Sequence, residues 1–310
     1  MGNRKKVTIW GAGATGATMA QRLVEKNIAD VVMVDIIEDM PQGKALDMAE
    51  SAPILGFETT ITGTNDPADS AGSDVVVITS GIPRKPGMSR EDLLNTNASI
   101  VRDVVGHAVK HSPNAVLIIF SNPMDVMCHV ALQASGLPRE RVIGQGGMLD
   151  TARYRTFIAE ATGASVRDVH AWVLGGHTEA TMVPLTSNAV VAGVPLTKIL
   201  PQDKVDALAH RARNGGAEIV GLLKTGSAFY APSAATIAMV EAIVLDQKRV
   251  LPCAAYLQGE FGINDAYVGV LATLGAGGIE RILQPELSAQ EMEGMRKAAH
   301  AVQELVGLIQ

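Results

Sequence analysis

Apolar residues in the first half of this chain follow two alternating rhythms. Short, nearly continuous runs recur at KVTIW (6–10), DVVMVD (30–35), TTITGT (59–64), SDVVVITSG (73–81) and NAVLIIFSNP (114–123). Such runs predict strands covered on both faces. Between them the apolar period lengthens to that of a helix. TGATMAQRLVEKN (15–27) gathers Met19, Ala20, Leu23 and Val24 on one face, and PQGKALDMAESAP (41–53) opens with proline and stops before one. Further helices are expected over 89–112 and from the fifth run to Ser135. Strand–helix alternation of this kind predicts an α/β fold with a parallel, doubly wound sheet.

The texture changes near residue 144, predicting two domains, 1–144 and 145–310. In the second, a long helix over MLDTARYRTFIAEATG precedes a strand-like DVHAWVLGG (168–176), a segment MVPLTSNAVVAGVPL, and helices over 203–225 and 232–246. The first of these keeps its period through Gly215-Gly216, which marks either a kink or a close helix contact. RVLPCAAYL and AYVGVLATLG read as antiparallel neighbours joined by QGEFGIND, and Ser288 with Glu291 form a capping-box pattern opening a last helix to 309. The second domain is therefore expected to be α+β with antiparallel strands.

Composition narrows the function classes. A chain of 310 residues, 47% apolar and 19% charged, can build a full core, and 31 glycines with only 4% aromatics favour tight strand–helix packing. The net charge of −6 carries no basic stripe, which argues against nucleic acid as a partner. Cys128 and Cys253 sit in apolar runs without metal-ligand spacing and read as buried thiols. MGNRKKVTIW lacks the apolar run of a signal peptide, and no stretch reaches roughly 18 apolar residues, so a soluble cytoplasmic protein with no membrane partner is expected.

GAGATG places Gly11, Ala12, Gly13, Ala14, Thr15 and Gly16 between a strand and a helix. Gly11 allows the tight turn, Gly13 lets backbone approach a pyrophosphate, and Gly16 lets helix and strand pack closely, while the helix N-terminus attracts phosphate. Asp35 ends the next strand, about 20 residues on, where a carboxylate accepts from ribose hydroxyls. Its charge repels a 2′-phosphate and the following IIE supplies no arginine, so the cofactor reads as NAD rather than NADP. A second cluster, GAGG at 275–278, has no acid-ended strand after it and reads as a turn.

Hydride exchange with a carbonyl needs a proton partner near neutral pKa, which is histidine's range. His107, His111, His129, His210 and His300 fall on helices and His170 within a strand. His177 ends an apolar strand directly after Gly175-Gly176, where bare backbone leaves room for a ligand. A catalytic imidazole wants a carboxylate on its other nitrogen. Asp150 is a candidate, and Arg153, three residues on, shares its helix face and suits a carboxylate fork. A plain Asp–Arg surface pair is the alternative.

These stretches, with VVMVDI, PQGKALDM, TSGIPRKPGMSREDLLNTNASI, SNPMDVM, RVIGQGGMLDTARYR, VLGGH and TGSAFYAPSAAT, resemble the lactate/malate dehydrogenase family, in particular the lactate-dehydrogenase-like malate dehydrogenases of bacteria. The resemblance runs from residue 7 to beyond 275. It implies a Rossmann domain followed by a catalytic domain, with His177 as general acid/base, Asp150 as its orienting carboxylate and Arg153 on the C1 carboxylate. It implies that Arg90 polarises the carbonyl and that Arg84 holds the second carboxylate of malate or oxaloacetate, where lactate enzymes typically carry glutamine. Asn122 would touch nicotinamide and substrate, and Asn97, Phe120 and Ser121 would join the cofactor site. The three cations of GIPRKPGMSRED (81–92) thereby acquire a purpose: Arg84 and Arg90 face substrate from a loop that closes as a lid, while Lys85 is solvated. Relatives imply a homodimer or homotetramer with the 41–53 helix at an interface. The alternatives are a dehydrogenase for lactate or another 2-hydroxy acid, and, from another class, a catalytically silent NAD-binding protein; a metal enzyme is disfavoured. One departure is local. Where the family reads GGHGD, this chain reads GGHTEATMVP, with Thr178 for glycine, Glu179 for aspartate and one residue added, implying a different turn behind His177. Trp10 is also unusual before the first glycine.

Overall fold

A computed structural model describes residues 4–83 and 87–309. Its elements run β1 (Lys6–Trp10), α1 (Ala14–Lys26), β2 (Asp30–Val34), α2 (Met40–Glu50), α3 (Ala52–Leu55), β3 (Ile61–Thr64), β4 (Val75–Ile78), α4 (Arg90–His111), β5 (Val116–Ile119), α5 (Met124–Ser135), β6 (Val142–Gly144) and α6 (Gly147–Thr162). There follow β7 (Val169–His170), β8 (Val173–Gly175), β9 (Met182–Pro184), β10 (Val190–Val191), β11 (Val194–Pro195), α7 (Gln202–Leu223), α8 (Tyr230–Val244), β12 (Arg249–Gln258), β13 (Asn264–Gly275), β14 (Gly278–Leu283) and α9 (Ala289–Val306).

The first six strands are parallel in the order β3-β2-β1-β4-β5-β6, as the alternating pattern predicts. Both faces are covered. In β4, Val75 and Val77 enter one core cluster with α1 and α8 residues, while Val76 and Ile78 enter another with α4 and α5 residues. The sheet does not stop at residue 144. Ala254 of β12 pairs with Gly144 of β6, and the ladder continues antiparallel through β13 and β8 to β9, so one sheet spans the change of texture. A third core, under α6 and α7, closes the far end with a small sheet of β11, β10 and β7.

Several local expectations are refined. The 168–176 run is two strands: β7 joins the small sheet and β8 the large one. The 41–53 helix continues as α3 past Ser51, with Pro53 at the start of that short turn. GAGG is a turn, as its pattern predicts, and it closes a β13–β14 hairpin, so a further strand follows it. Gly215 and Gly216 leave α7 unbroken and mark a close contact: a Cβ on Gly215 would lie 3.0 Å from Arg153 Cδ. Ser288 and Glu291 form the expected capping box.

Candidate active site

β1 ends at Trp10 and the chain turns at Gly11, whose φ of +104° suits only glycine; a side chain there would also strike Thr79. A Cβ on Gly16 would fall on the Gly11 carbonyl, so α1 can start this close to the strand only with glycine. Gly13 caps α1 and faces open space; no side chain caps the helix, leaving its first amides to an anion. The cleft above holds about 620 Å³ and is lined by Gly11, Gly13, Ala14, Thr15, Gly16, Asp35 and Phe120, among others. Asp35 accepts from Ala12 N–H (2.7 Å) and Ile37 N–H (3.0 Å), which fixes its carboxylate at the rim. The size of the cleft, the open helix end and the rim acid fit a dinucleotide.

Not every predicted residue lines this cleft. Ala12 is buried and works through its backbone: its N–H goes to Asp35 and its carbonyl accepts from Lys44 Nζ of α2, at 2.6 Å. Asn97 is 2% exposed. Its amide accepts from Ile82 N–H (2.9 Å) and donates to the carbonyls of Ile82 (3.2 Å) and Asn122 (2.8 Å), bracing two loops against each other. Ser121 is likewise buried and donates to the carbonyls of Ile78 and Ser80. Trp10 lines the cleft and stacks on His107, ring centroids 6.0 Å apart.

The second cluster forms where α6 meets β8. Thr151 Oγ1 accepts from Val173 N–H at 2.8 Å and pins the two elements together. That brings Asp150, in the first turn of α6, to His177: Asp150 Oδ2 lies 2.7 Å from His177 Nδ1. Asp150 Oδ1 accepts from Arg153 Nη1 at 3.1 Å. The Asp150 side chain is 2% exposed, with Arg153 and His177 half-buried around it, so this is an interior triad and not the surface pair. Burial opposes a charged imidazole, but the Asp150 charge and hydrogen bond, helped by Asp125, outweigh it and raise His177 above the ordinary histidine range. The glycines before His177 have a different task from the expected one. Gly175 has φ +81° and Gly176 lies against Thr181, so both are required by the turn pressing on them. That turn, containing Thr178 and Glu179, is closed by Thr181 N–H on the Thr178 carbonyl (3.0 Å) and by the two threonine hydroxyls, 2.6 Å apart.

Of the remaining arginines, Arg90 is exposed at the first position of α4. Arg84 and Lys85 lie outside the described residues. Three further residues reach these sites without a motif of their own in the sequence. Asp125 of α5 accepts from His177 N–H at 2.8 Å, Lys44 holds the glycine loop, and Ser233 of α8 donates to the Thr15 carbonyl at 3.0 Å. The one signal for Asp125 was a lone acid in the apolar run MDVMCHVAL.

Residues 5–144 match the family model "lactate/malate dehydrogenase, NAD binding domain" and residues 147–307 match "lactate/malate dehydrogenase, alpha/beta C-terminal domain". The chain belongs to the lactate/malate dehydrogenase family. It is an NAD-dependent oxidoreductase, and its glycine-loop cleft lies in the family's NAD-binding domain. The chain is 55% identical to the malate dehydrogenase of Roseiflexus sp. (strain RS-1) over 299 residues, 96% of each chain. The apo malate dehydrogenase from Picrophilus torridus superposes with a TM-score of 0.95 at 42% identity, over 99% of this chain and 97% of that one. The lactate dehydrogenase from Cryptosporidium parvum, complexed with lactic acid and nicotinamide adenine dinucleotide, gives 0.95 at 40% identity, over 99% and 98%. Among the described residues no helix is long and apolar enough to cross a membrane, and no group of three or more His, Cys, Asp or Glu side chains could hold a metal ion.

Proposed function

We propose that this chain catalyses the reversible NAD-dependent oxidation of (S)-malate to oxaloacetate. The observation that carries the reading is the buried His177–Asp150–Arg153 set in a family member whose relatives are named malate dehydrogenase. NAD, when bound, supplies the hydride acceptor. In malate oxidation the neutral imidazole takes the C2 hydroxyl proton at Nε2, while Asp150 on Nδ1 fixes the tautomer and stabilises the imidazolium. Arg153, seated against Gly215, offers its guanidinium to the C1 carboxylate. Arg90 stabilises the substrate oxygen and Arg84 holds the second carboxylate; both assignments rest on the sequence resemblance. Asn122 acts at the nicotinamide end, and Asn97 acts through it by setting the Asn122 backbone. Asp35 holds the adenosine ribose, and Gly11 to Gly16 the pyrophosphate.

A second reading, oxidation of lactate or another 2-hydroxy acid, draws support from the likeness to the lactate dehydrogenase bound to lactic acid and from the altered turn at Thr178 and Glu179. Steady-state NADH oxidation with oxaloacetate and pyruvate at equal concentrations separates the two. Strong preference for oxaloacetate supports the first and preference for pyruvate the second. Binding of NADH without turnover of either returns weight to a silent NAD-binding protein.

The same reading assigns the chain to the cytoplasm and the tricarboxylic acid cycle, as a homodimer or homotetramer. Leu46, Ile54 and Leu55, on α2 and α3, are 62%, 84% and 56% exposed and support an interface there. Light scattering of the purified protein at two and four copies against one tests it.

A further inference from the structure

His177 is held at two points. Asp150 takes its ring, and Asp125 takes its main chain: Asp125 Oδ2 accepts the His177 N–H at 2.8 Å. Asp125 enters from the first turn of α5, between the buried Met124 and Val126, and is itself 6% exposed. Its Oδ1 is buried without a hydrogen-bond partner. An amide carbonyl would accept the same N–H without bringing a charge into the core, so the hydrogen bond alone does not explain a carboxylate at this position. What the charge does add is a second anion beside the imidazole. The titratable and charged groups that face it are His177 from the turn after β8, Asp150 from α6, and the Cys128 thiol on α5 itself. Of these only His177 can become cationic, and the nearby Arg153 is already paired with Asp150.

We propose that Asp125 is a positioning residue for the acid/base histidine, fixing the His177 main chain so that Nδ1 stays on Asp150 and setting a second carboxylate against that histidine. The inference rests on reading His177 as the proton-transfer group. Burial pushes the Asp125 carboxyl up to about 6, against the pull of the His177 N–H and charge, with Asp150 adding to the rise. Its charge is therefore present at neutral pH and lost in mildly acid solution, where the support it gives the imidazolium fades.

Asp125→Asn keeps an acceptor for the N–H and removes the charge; Asp125→Ala removes both. For Asp125→Asn we expect unchanged NADH affinity, kcat within about threefold at its own optimum, and the ionisation of His177 lowered by about one pH unit. That shift is read twice, in the pH profile of kcat/KM for oxaloacetate reduction and in the NMR titration of the imidazole, assigned by its loss in His177→Asn. Asp125→Ala should lose kcat by about ten- to a hundredfold with a smaller change in KM. An unshifted titration in Asp125→Asn overturns the electrostatic role, and native kcat in folded Asp125→Ala overturns the anchoring role. Should the alanine variant fail to fold, Asp125→Leu, similar in shape and without an acceptor, takes its place in the kcat measurement, and native kcat there overturns the anchoring role. Near-native turnover by His177→Asn instead removes the underlying reading, a separate outcome from either.

Discussion

Replacing His177 by asparagine removes the ring that meets Asp150 at 2.7 Å while leaving the glycine-loop cleft untouched. Turnover should fall on the order of a thousandfold or more with NADH binding retained, measured by stopped-flow and fluorescence titration; near-native kcat would refute the assignment. On the proposed role of Arg84, Arg84→Gln should lower the oxaloacetate-to-pyruvate ratio of kcat/KM by at least about a hundredfold, because a site without its second cation no longer rejects the shorter acid. Asp35→Ser should admit NADP, and NAD affinity should drop as well, since Asp35 also ties down Ala12 and Ile37. Competition between the two cofactors in a single assay reads both effects. The triad was legible as residue types at the right spacing: Asp150 and Arg153 share a helix turn, and His177 follows a glycine pair. Asp125 was not, because its meaning lies in a contact between residues 52 positions apart, and no periodicity reports that.

The turn that carries His177 depends on Gly175. Gly175→Ala would force a side chain into a left-handed backbone and into the Thr181 carbonyl. A loss of about 2 kcal/mol or more in urea unfolding is expected, together with reduced kcat as the histidine shifts; an alanine variant as stable and active as the parent would show that the turn can relax. The long elements were readable because period and length agree: the Val/Ile runs became the parallel strands, and the amphipathic stretches became α1, α4, α7 and α9. The pieces β6, β10 and β11 are two or three residues long, too short to show any period, and exist only because a partner strand lies alongside. For the same reason the 168–176 run could not announce that its two ends join different sheets.

Across the whole molecule, pH acts on two buried groups in the same direction. Asp125 has its carboxyl raised from 3.8 to about 6, so the folded state binds that proton more tightly than the unfolded chain, and its contribution to stability declines as pH rises between those values. The decline amounts to about 3 kcal/mol at most. His177, raised above its ordinary value, stabilises most below that value and loses its contribution as pH climbs through the raised one. Denaturant melts of parent and Asp125→Asn from pH 4 to 7 should therefore diverge with rising pH, the variant becoming relatively more stable; parallel curves would place the Asp125 titration elsewhere. One long-range tie has a different consequence. Lys44 belongs to α2, a helix with Leu46 exposed on its outer side, yet its ammonium group ends on the Ala12 carbonyl inside the glycine loop. The loop is thus tethered from outside its own strand–helix unit. Thermodynamic reciprocity then makes α2 a lever with two ends: a partner that shifts Lys44 by gripping the outer face alters how tightly the loop holds a dinucleotide, and a bound dinucleotide must change that partner's affinity by the same factor.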